Sequence, residues 1–337
     1  MGVRPLTSAD PVRVGPYVLL GRLGEGGMGS VFLGRSAGGR TVAVKLIRPE
    51  LAGDAVFRTR FRAEVAAARA ASGAFTAPVV DADTDAGVPW LATAFVPGIP
   101  LHEAVVLDGP LAEPALWAVA AGVAEALVNI HAAGIVHRDL KPSNVLLALD
   151  GPFVIDFGIA RAAAGPALTA TGLVLGTPAY MSPEQSLGDP LTPASDVFSL
   201  GSTLVFAARG TAPFAGPASA LELQRRIVQD EPDLSDVPDG LRLLIAACMA
   251  KNPLDRPEPR QVVEVVERMA GVPRRAGAWL PPRLVEAVEE AAAVLAPTLP
   301  PRPDTAAADD GPGRVPRSGA DAEGERSEPG ALPPGAG

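Results

Sequence analysis

The stretch from Leu23 to Leu33, LGEGGMGSVFL, places Gly24, Gly26 and Gly29 at the spacing G-x-G-x-x-G, with Val31 two residues beyond. Glycines at a hairpin tip let backbone N–H groups approach phosphate oxygens with no Cβ in the way. Dinucleotide-binding folds use the same spacing, but there the third glycine opens a helix, whereas Ser30 to Leu33 alternates as a strand. A Walker loop is excluded, because Ser30 stands where that motif has lysine. From this segment alone, a plain tight hairpin remains the alternative.

Lys45 lies in Val42-Ala43-Val44-Lys45 on the next candidate strand. A lysine between apolar strand neighbours costs free energy unless it is paired. The helix that follows offers Glu64, on a face shared with Phe61 and Ala68. A Lys45–Glu64 pair would hold the ammonium toward the α and β phosphates of a nucleotide. Two unrelated surface charges are the alternative. Lysine is scarce: only Lys45, Lys141 and Lys251 occur among 29 basic residues.

The most specific run is His137-Arg138-Asp139-Leu140-Lys141-Pro142-Ser143-Asn144, followed twelve residues after Asn144 by Asp156-Phe157-Gly158. With these motifs the chain resembles a eukaryotic-type (Hanks-type) bacterial serine/threonine protein kinase. It is most similar to actinobacterial ones, on GEGGMGSVFLGR, SGAFTAPVVDAD and GTPAYMSPEQ. The likeness covers about Tyr17 to Met269. It implies ATP as phosphoryl donor, Mg²⁺ as cofactor and Ser/Thr hydroxyls of proteins as acceptors.

The resemblance also implies roles. Phosphoryl transfer passes through a loose transition state, so the protein mainly positions groups and neutralises charge. Asp139 would accept the alcohol proton, and Lys141 would neutralise the γ-phosphate. Asn144 and Asp156 would supply hard oxygen ligands for Mg²⁺. Val31, Ala43 and Leu146 match positions that sandwich adenine. Ala94 to Val96 match the hinge whose backbone binds the base, and Thr93 falls at the gatekeeper position. Asp196 would hold the catalytic-loop backbone, and Glu184 would pair with Arg256.

Arg138 before the catalytic aspartate implies control by loop phosphorylation, since a cationic partner awaits a phosphate. Thr169 and Thr171 sit where related kinases autophosphorylate, and Thr177 would reach toward Asp139 and Lys141. Two other readings are weighed beside an active kinase. A silent pseudokinase scaffold would be expected to lose Lys45, Asp139, Asn144 or Asp156, and all four are present. A small-molecule kinase of similar fold leaves GTPAYMSPEQ unexplained.

The elements that must carry these residues fall into two sets. Tyr17–Leu23, Ser30–Arg35, Thr41–Ile47, Pro78–Asp83 and Pro89–Val96 read as strands, with a helix over Asp54–Ala71. After Pro97-Gly98 the pattern turns helical, over Glu113–Ala133, Ser195–Arg209, Ala218–Gln229, Gly240–Ala250 and Glu258–Met269. Two short strands, Asn144–Leu149 and Phe153–Asp156, lie between. The expected fold class is α+β: a bilobal kinase fold with a small β-rich N-lobe and a larger helical C-lobe. The division runs as leader 1–16, N-lobe 17–96, C-lobe 97–270, linker and amphipathic helix 271–296, and a disordered Pro/Gly-rich tail 297–337. That tail holds nine Pro and seven Gly and no aromatics.

Composition narrows the partners. The 337 residues carry 29 Lys plus Arg against 38 Asp plus Glu, a net charge of −9, which disfavours nucleic acid. Cys248 is the one cysteine, so neither an internal disulfide nor a cysteine zinc site is available. No stretch is read as a membrane span, no secretory signal is expected, and the default address is cytoplasmic. A transient homodimer through the N-lobe is a further expectation.

Overall fold

Period-two burial organises the small lobe. After the two-residue strand β1 (Arg13–Val14), β2 (Tyr17–Gly26) buries Tyr17, Leu19, Gly21 and Leu23 on one face while Val18 and Leu20 stay exposed. With β3 (Gly29–Arg35), β4 (Thr41–Ile47), β5 (Val79–Asp83) and β6 (Trp90–Ala94) they form a six-stranded sheet in the order β1-β2-β3-β4-β6-β5. Its neighbouring strands run antiparallel. Tyr17, Phe32, Val42, Val44 and Trp90 make the core of one face. The computed structural model describes residues 2–71, 73–156, 178–270 and 279–293.

Helix α1 (Pro49–Ala52) leads into α2 (Ala55–Ala70). Asp54 starts α2 by accepting from the N–H groups of Val56 at 2.7 Å and Phe57 at 3.3 Å. Phe57, Phe61, Val65 and Ala68 then recur at helical spacing and are buried. Glu64 is thereby set beside the apolar face, turned toward the lower lobe.

Below lie β7 (Ile99–Pro100), α3 (Leu101–Asp108) and α4 (Glu113–Ala132). Strands β8 (Val145–Ala148) and β9 (Gly151–Val154) complete a three-stranded sheet with β7. The remaining helices are α5 (Pro183–Leu187), α6 (Pro193–Arg209), α7 (Ala220–Gln229), α8 (Asp239–Cys248), α9 (Pro259–Ala270) and α10 (Pro282–Ala293). Helix α4 is central, with Leu116, Val119, Val123, Leu127 and Ile130 all fully buried. By length and hydropathy alone α4 could cross a membrane, yet 61% of its apolar stretch is buried inside the fold, as a core helix would be.

The sequence reading passed over several short elements, among them β1, α1, β7, α3 and α5. Helix α3 follows directly on β7, where the Pro97-Gly98 turn signal masks a short apolar run. Helix α5 lies in the stretch read as irregular; it is five residues long, too short to show a period. The leader is tied to the sheet: Arg4 and Arg22 exchange backbone hydrogen bonds of 2.9 and 2.7 Å, and Asp10 pairs with Arg22. The expected tail 297–337 falls outside the described residues.

Candidate active site

A cleft of about 370 Å³ separates the sheet from the helical lobe. Its roof is the β2–β3 tip, from Gly24 to Gly29, with Val31 and Ala43 behind it. A Cβ placed at Gly26 would meet nothing within 4 Å, so no packing within the chain requires glycine there. Gly29 differs: its φ is +159°, and a Cβ would run into the carbonyl of Leu46 on β4. One glycine closes the hairpin, and the other leaves open space above the cleft.

Strand register explains the next group. Ala43 and Lys45 are two apart on β4 and share a face; their partners on β6 are Thr93 and Leu91. All four line the cleft, joined by Ala94, Val96 and, from β8, Leu146. The residues read as an adenine sandwich and hinge are therefore brought together around one space.

From below come Asp139, Lys141, Asn144 and Asp156. Asn144 Nδ2 donates to the carbonyl of Asp139 at 2.8 Å and to its Oδ2 at 3.3 Å. Lys141 Nζ lies 3.0 Å from the same Oδ2. Asp139 is thus held by two neighbours on its own loop while one quarter of its side chain stays exposed. Asp156 has a left-handed φ of +58°, and Arg138 one of +64°. Such backbone costs energy and persists only when its surroundings fix it.

Those surroundings are explicit. The buried carboxylate of Asp196, on α6, accepts from the backbone N–H of His137 at 2.7 Å and of Arg138 at 2.9 Å, and contacts His131 Nε2 at 2.8 Å. Gln185 Nε2 donates to the Arg138 carbonyl at 2.8 Å. His137 is fully buried; its Nε2 lies 3.2 Å from the Ile155 carbonyl, and its Nδ1 accepts from the Asp139 N–H at 3.2 Å. Burial pushes the His137 imidazole below its ordinary pKa, against the pull of Asp196, Asp139 and Asp156.

Further out, Arg256 and Glu184 form a buried bidentate pair at 2.7 and 2.9 Å. The guanidinium also donates to the carbonyls of Ala250, Ala194 and Lys251. Burial alone would raise the Glu184 carboxyl, but hydrogen bonds from Arg256 and Ser195 outweigh it and hold its pKa below the usual value. Lys251, the lysine without a motif, sits 4.5 Å over the Phe214 ring and donates to the Ile227 carbonyl at 2.8 Å.

The Lys45–Glu64 pair expected from the sequence is replaced here by two others. Lys45 Nζ is 3.1 Å from Asp156 Oδ2, and Glu64 Oε1 is 3.9 Å from Arg138 Nη1. Periodicity put Glu64 beside the buried face of α2, but its ion-pair partner is set by the lower lobe, where Arg138 lies in reach. Thr169, Thr171 and Thr177 lie outside the described residues. The lining also includes Val3 and Ala291, which no motif flagged.

Metal fit follows from the donor set. Among the described residues no three His, Cys, Asp or Glu side chains cluster as a protein-only cage. Asn144 and Asp156 instead offer an amide and a carboxylate oxygen in the same cleft. That sparse oxygen set suits Mg²⁺, which takes its remaining ligands from water and substrate phosphates.

A glycine-tipped sheet over a helical lobe, with lysine, aspartates and asparagine converging between them, defines the protein kinase class. The chain belongs to the protein kinase domain family, whose model matches residues 17–266. It is 54% identical over 293 residues to serine/threonine-protein kinase AfsK of Streptomyces coelicolor, covering 85% of this chain and 36% of that protein. A relative from Thermomonospora curvata, PkwA, is 49% identical over 286 residues, covering 85% and 38%. The chain therefore spans little more than a third of the length of these curated relatives. The crystal structure of the Mycobacterium tuberculosis PknI kinase domain aligns with a TM-score of 0.61 at 27% identity, over 79% of this chain and all of that one. The affiliation with actinobacterial Hanks-type kinases and the bilobal fold expected from the motifs both hold.

Proposed function

We propose that this chain transfers the γ-phosphate of ATP to serine and threonine hydroxyls of proteins. The carrying observation is the convergence of Lys45, Asp139, Lys141, Asn144 and Asp156 on one cleft beneath an open glycine tip. Each part of a phosphoryl-transfer site has its residue there, which supports catalysis over a silent scaffold. In this reading Asp139 orients the acceptor alcohol and takes its proton, and Lys141 neutralises charge on the transferred group. Lys45 steadies the α and β phosphates under Gly24, Gly26 and Gly29. Val31, Ala43 and Leu146 enclose adenine, and the backbone at Ala94 and Val96 reads its edge. Asn144 and Asp156 would hold Mg²⁺, which would neutralise phosphate charge when bound.

Regulation follows from the pairs observed. Phosphate on Thr169 or Thr171 would compete with Glu64 for Arg138 and release Glu64 toward Lys45. Thr177 is read as a contact of the acceptor side. We read residues 17–96 and 97–270 as the two lobes, 271–296 as a linker and helix, and the cytoplasm as the compartment that supplies ATP. A transient homodimer through the small lobe is supported by Val18 and Leu20, 41% and 43% exposed on the outer face of β2.

The test is transfer of labelled phosphate from ATP and Mg²⁺ to generic acceptor proteins. Label on Ser or Thr supports the proposal. Asp139→Asn should abolish transfer while ATP still binds; unchanged turnover in that variant would refute the assignment.

A further inference from the structure

The cleft has a wall that the kinase motifs do not supply. Helix α10 begins sixteen residues past the end of the family match at 266, yet Ala291 lines the same cleft as the hinge residues Ala94 and Val96. Its seat is built at helical spacing. Leu284 and Val288 are 0% and 1% exposed and belong to the main hydrophobic core, and Ala291 comes next on the same face. The helix packs on β7 and α3, the segment that starts one residue after Gly98 of the lining. Glu286, Glu289 and Glu290 are turned to solvent.

Two physical points follow. A helix whose Leu284 and Val288 lie in the core is fixed in place, so what its last turn presents to the cleft is fixed too. Ala291 is half-buried and presents only a methyl group; any longer side chain at that position would project from a rigid support into the cleft.

We infer that α10 is an integral wall of the nucleotide cleft and that the small side chain of Ala291 is an affinity-determining feature for the bound nucleotide. The inference rests on reading this cleft as the ATP site. Residues outside the kinase match then set nucleotide affinity, and displacement of α10 would alter ATP binding without touching a catalytic group.

The test uses the full chain carrying Ala291→Glu, and separately Ala291→Gln to remove the charge. Glutamate and glutamine are good helix formers, so the melting temperature should stay unchanged. MgATP binding is measured by calorimetry, with Lys45→Ala in parallel and Glu289→Ala as the solvent-face control. The expected result is a rise of about tenfold in the Kd of Ala291→Glu, a smaller rise for Ala291→Gln and none for Glu289→Ala. A Kd within about twofold of the unaltered chain in both Ala291 variants, with binding lost in Lys45→Ala, overturns the inference alone. Unchanged binding in Lys45→Ala as well overturns the inference together with the cleft reading.

Discussion

Lys45 Nζ and Asp156 Oδ2 meet at 3.1 Å, closing an ion pair across the cleft between β4 and the residue chain that leaves β9. On the proposed reading Asp156 serves two partners in turn, Lys45 as seen here and Mg²⁺ when nucleotide is bound. Its left-handed backbone is tolerated equally by asparagine. Asp156→Asn should then remove charge without moving the chain. Phosphate transfer should fall by about 10²- to 10⁴-fold, with the circular-dichroism melt unchanged. Retained transfer rates would remove Asp156 from the site.

The two tip glycines separate a ligand requirement from a folding one. Gly26 faces open space, whereas Gly29 lies against the Leu46 carbonyl. Gly26→Ala should leave stability within about 0.5 kcal/mol and raise the KM for ATP by about tenfold. Gly29→Ala should cost about 1–3 kcal/mol, because backbone of β4 must shift to admit the methyl. Urea titration and ATP kinetics on both variants read the contrast; equal behaviour would mean that both glycines serve only the turn.

Arg256, in the turn that precedes α9, and Glu184 on α5 lie 72 positions apart in sequence, and the Arg256 side chain is 0% exposed. All five guanidinium N–H groups have acceptors, and the cation also lies 5.1 Å from the Phe198 ring centroid. Glu184→Gln leaves that charge buried without its counter-ion, at a cost of about 3–5 kcal/mol. Arg256→Met, which leaves the carboxylate, should cost a similar amount. Chemical denaturation of the two variants checks this, and losses under about 1 kcal/mol would mean the pair is solvated.

Legibility in the sequence tracked the length and regularity of each signal. Helix α4 was read to within one residue at its C-terminus because twenty residues repeat its apolar face. Helix α2 was bounded by Asp54, a capping residue that can be read directly. Short elements such as α3 and α5 carry less than three turns of pattern, and turn residues beside them outweigh it. At the site, residues tied to a contiguous motif converge as expected: Asp139, Lys141 and Asn144 share one loop. The partner of Glu64 was not legible, since periodicity along one helix says nothing of which charge on another element comes within reach. Ala291 was invisible for the opposite reason, being one alanine among many on a helix whose docking face alone was apparent.

His137 gives the site a dependence on pH. Nδ1 accepts from the Asp139 N–H at 3.2 Å while Nε2 faces the Ile155 carbonyl, so the fold requires the neutral ring with its proton on Nε2. Protonation would set two N–H groups against each other at the catalytic loop. Burial lowers the folded pKa, and the unfolded value is about 6.5. Below that value the unfolded chain takes up a proton that the folded chain refuses, so stability present above pH 6.5 is lost as pH falls toward the folded pKa. The limiting slope from this residue is about 1.4 kcal/mol per pH unit. Urea unfolding from roughly pH 7.5 down to 5.5 should show that decline, and His137→Gln, which keeps a donor and an acceptor but does not titrate, should flatten it. Glu184 acts in a separate window: its lowered pKa withdraws stability only as pH falls below the carboxylate range, about 4.3. A slope unchanged by His137→Gln would place the proton uptake elsewhere.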